Sequence, residues 1–188
     1  VSTGRDGAAL WQRASEASDA GVAVRALMAL REYLKALARQ EAATGESSAP
    51  VAVILNALAQ TVEVVEGIPL LQRALAIDRA ALGARHPQTA TTEANLAGLL
   101  VHARRYDEAL GVAADALSVF SETLGLDHPR CAVAASILAF ALEAKGQKAR
   151  AEKMYRMALE IDEKAYGPKH PQTLKDRQAL EEFWKRPR

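Results

Sequence analysis

The feature that most constrains the fold of this chain is a five-residue segment, Gly-x-x-His-Pro, that occurs three times at a fixed spacing. Its copies occupy residues 83–87, 125–129 and 167–171, so each begins 42 residues after the last. The same interval separates Ala109 from Ala151. A period in this range is typical of stacked repeat proteins, in which each unit covers its neighbour. The chain is therefore expected to fold as an array of similar units.

Each 42-residue unit predicts two helices. In the best-formed unit the first helix runs from about Pro87 to Ala103, because proline is favoured in the first turn of a helix. Residues 104–106 form the corner and Asp107 is the expected N-cap of the second helix, which Gly125 ends. The next unit repeats the arrangement over residues 129–145 and 149–166. The predicted fold class is all-α, built from antiparallel helix pairs.

Before Gly83 the repeat continues with a shorter spacing, since Gly45 lies 38 residues earlier. The missing four residues amount to about one helical turn, so a helix can shorten without rotating its core face. We expect the lost turn between Val62 and Gly67, with Gly67 and Pro69 marking the corner between the two helices of this unit. A gapless 42-residue alignment is the alternative register for this part of the chain.

The two ends of the chain predict further helices. A short helix is expected at residues 8–17, with Leu10 and Trp11 on one face, followed by a long amphipathic helix that ends at Thr44 and Gly45. The charged helix at 171–185 is expected to be a C-terminal cap whose outer face meets water. The expected divisions are N-terminal helices with a degenerate repeat at 1–44, a short repeat at 45–82, full repeats at 83–124 and 125–166, and a capping helix at 167–188, about nine helices in all.

Composition excludes several classes of function. Lys and Arg number 24 against 23 for Asp and Glu, so no broad electrostatic attraction to nucleic acid or anionic lipid is expected. The single cysteine, Cys131, cannot form an internal disulfide and is expected to be a small buried side chain. No signal peptide or membrane span is visible, which favours a cytoplasmic location. The first residue, Val1, favours an excised domain or a processed product.

The small and large residues of each unit resemble the tetratricopeptide repeat. The first set is Leu96-Ala97-x-x-Leu100, Ala109-x-x-x-Ala113 and Ala116, and the second is Leu138-Ala139-x-x-Leu142, Ala151-x-x-x-Tyr155 and Ala158. Asn95-Leu96-Ala97 and His86-Pro87-Gln88-Thr89 are similar to the 42-residue subtype found in kinesin light chains and many bacterial proteins. The resemblance implies a right-handed α-solenoid whose first helices line a concave groove that holds a peptide or partner segment.

The histidines do not favour metal binding or catalysis. His86, His128 and His170 occupy identical positions one repeat apart, so stacking places successive copies about 8–10 Å or more from one another. Metal ligands must converge on one ion at about 2 Å, so these histidines are expected to order the turn before each proline instead. No phosphate-binding loop, HExxH motif or nucleophile elbow occurs. The chain is expected to have no cofactor, no metal and no enzymatic activity.

The helical period identifies a candidate binding face. The residues expected to bind a peptide or partner are Asn56, Gln60, Thr91, Asn95, Gly98, His102, Val133, Ile137 and Phe140. Val53 and Glu63 before them, and Lys175, Gln178 and Glu182 after them, are expected on the same side. In the subtype that the chain resembles, an asparagine just before the Leu-Ala pair can bond the backbone of a bound peptide. Only Asn95 matches that position, while Asn56 is one residue off and Ile137 replaces it in the next unit.

Two interpretations of the apolar run at residues 132–142 stay open: neighbouring helices bury it, or it forms an apolar groove for a partner's side chains. A clamp for a terminal carboxylate is not expected, because Val133, Ile137 and Phe140 occupy the central face. The favoured function is protein or peptide binding. The alternatives are self-association through Leu10 and Trp11 or through Phe183 and Trp184, and a regulatory domain of a larger enzyme or signalling protein.

Overall fold

A computed structural model of the protein describes residues 20–186, and this part of the chain contains eight helices and no strand. The helices are α1 (Ala20–Thr44), α2 (Ala49–Ala59), α3 (Val64–Leu82), α4 (Pro87–His102), α5 (Tyr106–Leu124), α6 (Pro129–Ala144), α7 (Lys148–Tyr166) and α8 (Pro171–Lys185). The all-α prediction is confirmed. The helix predicted at residues 8–17 lies outside the described residues. The prediction of about nine helices for the whole chain therefore compares with eight helices in the described part.

The chain divides into two compact units, Val1–Ala84 and Arg85–Arg188. In the first unit α2 packs against both α1 and α3, and Leu37, Leu55 and Ile77 are buried in their common core. Arg73 on α3 also donates to the Glu41 carboxylate on α1 at 2.7 Å. In the second unit α4 to α8 pack in sequence, each helix against the next, and α4 also contacts α6. The helix pairs predicted from the repeat are therefore present in both units.

Each Gly-x-x-His-Pro segment ends one helix and begins the next. At Gly125 φ is 89° and ψ is 153°, a region of backbone conformation that is essentially restricted to glycine. His128 follows as the N-cap of α6, and its Nδ1 accepts a hydrogen bond from the N–H of Arg130 at 3.2 Å. His86 and His170 cap α4 and α8 in the same way. The predicted structural role of these histidines is confirmed.

The corner before α5 differs from the prediction. α5 begins at Tyr106, which leaves Arg105 in the cap position and Asp107 inside the first turn, so the prediction of Asp107 as N-cap is wrong. The turn is shorter than expected because Arg104 adopts a positive φ of 59° and the N–H of Arg105 reaches back to the Leu100 carbonyl at 2.8 Å. The Asp107 carboxylate pairs instead with Lys145 at 2.9 Å.

Arg104 and Gly146 allow a reciprocal test of this turn, because they are 42 residues apart and both have positive φ, 59° and 73°. A residue other than glycine is destabilised by about 1–2 kcal/mol when its backbone adopts this left-handed conformation. We therefore expect Arg104→Gly to raise the free energy of unfolding by about 1 kcal/mol and Gly146→Arg to lower it by about the same amount. Urea unfolding measures both. Equal effects of the same sign from the two substitutions would show that the turn does not carry this strain.

The corner of the short unit also lies elsewhere than predicted. α2 ends at Ala59 and α3 begins at Val64, so residues 60–63 form the corner and both Gly67 and Pro69 lie inside α3. Gly67 is buried inside α3 and lies 42 residues before the fully buried Ala109, so both units have a small buried residue at this position. The four-residue deletion therefore shortens the first helix of the unit at its C-terminal end, before α3 begins, and the prediction of a lost turn between Val62 and Gly67 is wrong.

The 38-residue register is supported by the helix ends. Ser48 precedes α2 as its N-cap, 38 residues before His86, and Gly45 ends α1 with a φ of 85° as Gly83 ends α3 with 91°.

Cys131 is fully buried, and its thiol donates to the Gly125 carbonyl at 3.4 Å. Burial raises the pKa of this thiol. The predicted role of Cys131 as a small buried side chain is confirmed.

Candidate functional site

The predicted binding residues of the second unit lie on one side of α4, α6 and α8, the first helices of their helix pairs. We call this surface the first-helix face. It consists of Thr91, Asn95, Gly98 and His102 on α4, Val133, Ile137 and Phe140 on α6, and Lys175, Gln178 and Glu182 on α8. Each set follows the helical spacing of three or four residues, so its members share one side of their helix. All ten residues are at least partly exposed.

The middle of the first-helix face is apolar. Val133 and Phe140 are 48% and 44% exposed, and Ile137, one turn from each, is partly buried. The other sides of α6 are buried, with Cys131, Ala135 and Leu142 packed into the core. Neighbouring helices therefore cover part of the apolar run at 132–142, as one sequence interpretation held, but they leave this stripe open to solvent.

The repeat shows that the stripe is specific to α6. One repeat earlier, the counterparts of Val133 and Phe140 are Thr91 and Gly98, and one repeat later the counterpart of Phe140 is Glu182. The helical framework thus accepts polar, charged or small residues at these positions. The large apolar side chains are not needed to complete the core of the repeat.

Polar contacts connect the face across its helices. The Arg130 guanidinium on α6 donates to Thr91 Oγ1 on α4 at 2.8 Å, and this hydroxyl in turn donates to the Pro87 carbonyl at 2.8 Å. Arg130 was missed by sequence reasoning, because it lies in the first turn of α6, three residues before the apolar stripe begins at Val133. On α8 the Gln178 amide donates to the Glu182 carboxylate at 2.8 Å. The apolar stripe is therefore flanked by ordered polar groups on both sides.

A buried pair of aspartates positions α8 beside α6. Asp162 on α7 and Asp176 on α8 are 1% and 6% exposed, and Ser136 on α6 donates to Asp176 Oδ1 at 3.3 Å. Burial raises the pKa of Asp176 to about 7, and both its hydrogen bond with Asp162 and the charge of that carboxylate contribute to the rise. Burial also raises the pKa of Asp162. The pair therefore holds a shared proton at mildly acidic pH.

This pair makes the stability of the helix packing dependent on pH. An unfolded aspartate ionises near pH 4, whereas Asp176 in the folded chain keeps its proton up to about pH 7. The folded state binds more protons in this window, so raising the pH from 5 to 8 lowers the free energy of unfolding, on the order of 2 kcal/mol. Asp176→Asn, which resembles the protonated acid, is expected to remove this dependence and to be more stable than wild type at pH 8.

Thermal unfolding at pH 5, 6, 7 and 8 measures the difference. Asp115→Asn, which removes an exposed carboxylate from α5, is the matched control and should retain the wild-type pH profile. An Asp176→Asn profile parallel to that of wild type would contradict the assignment of the proton to this pair.

The first unit has its own set of predicted binding residues. Val53 is 55% exposed and both Gln60 and Glu63 are exposed. Asn56 differs from the prediction, because it is only 7% exposed and its Nδ2 donates to the Ala52 carbonyl of the same helix at 3.3 Å. In the 38-residue register Asn56 corresponds to the buried Ala94, which explains its position.

Within residues 20–186 no group of three or more His, Cys, Asp or Glu side chains could hold a metal ion. His102 is exposed at the end of α4. None of the helices in the same range is long and apolar enough to span a bilayer.

Comparison with known proteins identifies the repeat. Two overlapping segments, residues 63–120 and 93–164, match the family model described as Tetratricopeptide repeat, and together they span more than half of the chain. A search of curated protein sequences gave no match.

Solved structures share the fold. BtubC (BKLC) from P. vanneervenii has a TM-score of 0.72 and 20% identity, over 98% of this chain and 84% of that one. A Podosopora anserina protein, described as a kinesin light chain with nearly identical TPR-like repeats, has a TM-score of 0.69 and 22% identity, over 96% of this chain and 85% of that one. At this level of identity the likeness concerns the fold, and both relatives bear names related to kinesin light chains.

Proposed function

The chain belongs to the tetratricopeptide repeat family, whose repeats form protein interaction modules, and we propose that it binds an extended peptide segment of a partner protein on the first-helix face. The observation that carries the proposal is the exposed apolar stripe of Val133, Ile137 and Phe140. A right-handed superhelical winding of the second unit, with the first-helix face on its concave side and α8 as its cap, is also part of this proposal. The matched family is an interaction repeat and not a catalytic domain.

The composition of the face favours one kind of ligand. Phe140 is an aromatic side chain exposed beside two aliphatic ones, and large side chains of this kind carry much of the energy of protein interfaces when a partner covers them. The polar groups on α4 would contribute hydrogen bonds to the ligand. Asn95 is partly exposed one turn from Thr91, and its proposed role is a hydrogen bond to the peptide backbone. The proposed ligand therefore presents apolar side chains to α6 and its backbone to α4.

Binding is not expected to require a peptide with a large net charge. Lys175 and Glu182 lie on the same side of α8, so the two ends of that helix offer opposite charges to a partner. We leave Asn56 out of the proposed site because of its burial, and Gln60 remains a candidate contact of the first unit.

Selection from a random peptide display library tests the proposal even though the partner protein is not identified. The wild-type chain should enrich peptides with spaced Leu, Ile, Phe or Trp residues, and a soluble copy of the same peptide should compete for binding. Failure to enrich any family of peptides, or enrichment of peptides that bind a chain lacking the stripe equally well, would contradict the proposal.

Self-association is a second candidate, favoured by one observation. Leu174 and Trp184 on α8 are 48% and 52% exposed, whereas Ala90 and Ala132, the counterparts of Leu174 in the two preceding repeats, are covered. Phe183 is not available for this role, because it is 8% exposed and its ring packs against Tyr155 with centroids 5.5 Å apart. Light scattering over a range of concentrations distinguishes the two candidates, since a constant monomer mass excludes self-association as the main function.

A further inference from the structure

A second opening lies away from the first-helix face, between α5 and α7. It is a groove of about 580 Å³ that we call the α5–α7 groove. Leu110 from α5, Leu138 and Leu142 from α6, and Met154 from α7 supply its apolar lining. Because Leu138 and Leu142 are on the side of α6 opposite to the apolar stripe, a ligand in this groove does not compete for the residues of the first-helix face.

Small residues on α5 keep the groove open. Gly111 and Ala114 line it, and apart from the neighbouring backbone of α5 no atom lies within 4 Å of the place where a Cβ at Gly111 would be. One repeat later their counterparts on α7 are Lys153 and Arg156. A glycine in the middle of an exposed helix lowers helix stability by about 1 kcal/mol relative to alanine. The repeat thus tolerates long side chains at a position where α5 has none.

Two cations stand at the edge of the apolar lining. Arg150 and Lys153 both line the groove and are exposed, and within the described part of the chain neither has a carboxylate partner. Arg150 donates only to the neutral amide oxygen of Gln147, at 2.6 Å. By contrast Arg156, one turn further along α7, is paired with Glu152 at 2.8 Å. The groove therefore combines an apolar interior with positive charge that is not neutralised by the chain.

The size of the groove decides between a protein and a small ligand. A stable protein interface uses about 20–30 residues on each side, whereas eight residues line this groove. Its volume falls within the range of about 300–1,000 Å³ that is typical of small-molecule sites. We propose that the α5–α7 groove binds a small amphipathic anion, a carboxylate with an unbranched apolar tail, whose tail lies against Leu138 and Met154 and whose carboxylate meets Arg150 and Lys153.

Isothermal titration with decanoate tests this site on the whole chain. We expect saturable one-to-one binding to the wild type, and binding at least about tenfold weaker for Arg150→Gln combined with Lys153→Gln, because a hydrogen-bonded charge contributes this much. Gly111→Leu fills the groove and is expected to weaken binding to a similar degree. Because leucine has a higher helix propensity than glycine, this variant is expected to remain folded.

Arg156→Gln is the matched control, since it removes a cation from the same helix outside the groove, and it should change the affinity by less than about twofold. Uncharged 1-decanol should bind at least about tenfold more weakly than decanoate. Absence of saturable binding to the wild type, or equal binding to Gly111→Leu, would overturn the proposal. Equal binding of decanoate and 1-decanol would overturn the assignment of Arg150 and Lys153.

Discussion

Replacing Phe120 with alanine is expected to lower the free energy of unfolding by about 4 kcal/mol, the largest effect of any single substitution proposed for this chain. The ring is 1% exposed, and the core around it is built mainly of alanines. Alanine side chains cannot extend into a space left by the ring, so the cavity would stay open, and the cost of such a substitution rises with the volume of the remaining cavity. Urea unfolding followed by circular dichroism measures this change.

Phe140→Ala is the matched control, because it is the same chemical change at a residue that is 44% exposed. It is expected to cost less than about 1 kcal/mol, in line with surface substitutions. For Phe120→Ala, a loss of about 4 kcal/mol in the free energy of unfolding should lower the melting temperature by about 10 °C in a chain of this size. If the two variants are equally stable, Phe120 does not occupy the core position assigned to it.

Asn95→Ala combined with Phe140→Ala is expected to weaken the binding of a peptide selected on the wild-type chain by about 100-fold or more. Truncation of a central aromatic contact commonly costs at least about 2 kcal/mol, and a lost hydrogen bond to the peptide adds about 1 kcal/mol. Both residues are on the surface of their helices, so the helical circular dichroism should not change. Fluorescence anisotropy of the labelled peptide measures the affinity.

Leu126→Ala serves as the control for this experiment. Leu126 is 61% exposed and lies in the loop before α6, outside the first-helix face, so the affinity should remain within about twofold of wild type. Undiminished binding of the peptide to the double variant would place the peptide elsewhere on the chain.

Much of the fold could be predicted from the repeat itself. The three Gly-x-x-His-Pro segments located the helix ends because each of their residues has a local role: glycine adopts the positive φ, histidine caps and proline begins the helix. These roles depend on backbone geometry within a few residues, which sequence order alone specifies. The final helix, for example, was predicted at 171–185 and is observed at Pro171–Lys185.

The errors arose where one residue type can serve two purposes. Glycine and proline commonly mark a corner, yet Gly67 is buried within α3 and Pro69 lies inside the same helix. Aspartate is a residue type typical of N-caps, but Asp107 lies in the first turn of α5, because the positive φ of Arg104 shortens the preceding loop. A sequence pattern cannot distinguish these cases, since the outcome depends on burial at Gly67 and on the backbone conformation before Asp107.

The candidate site was predictable only in part. The helical period grouped Val133, Ile137 and Phe140 correctly, but their exposure depends on how far α4 and α8 cover α6. The contact between Asp162 and Asp176 joins two helices across a turn, and the residues between them give no sign of it. The sequence contained one signal of the α5–α7 groove. Gly111 and Ala114 are small, whereas the residues at the same positions one repeat later are charged.

The measurement that tests the central claim most directly is photo-crosslinking of a selected peptide that carries benzoylphenylalanine in place of one of its apolar residues. Mass spectrometry then identifies the crosslinked residue of the chain. Binding on the first-helix face predicts adducts on α4, α6 or α8, at or next to Asn95, Ile137 or Phe140, and their loss in the double variant. Adducts confined to α5, α7 or the first unit would contradict the proposal.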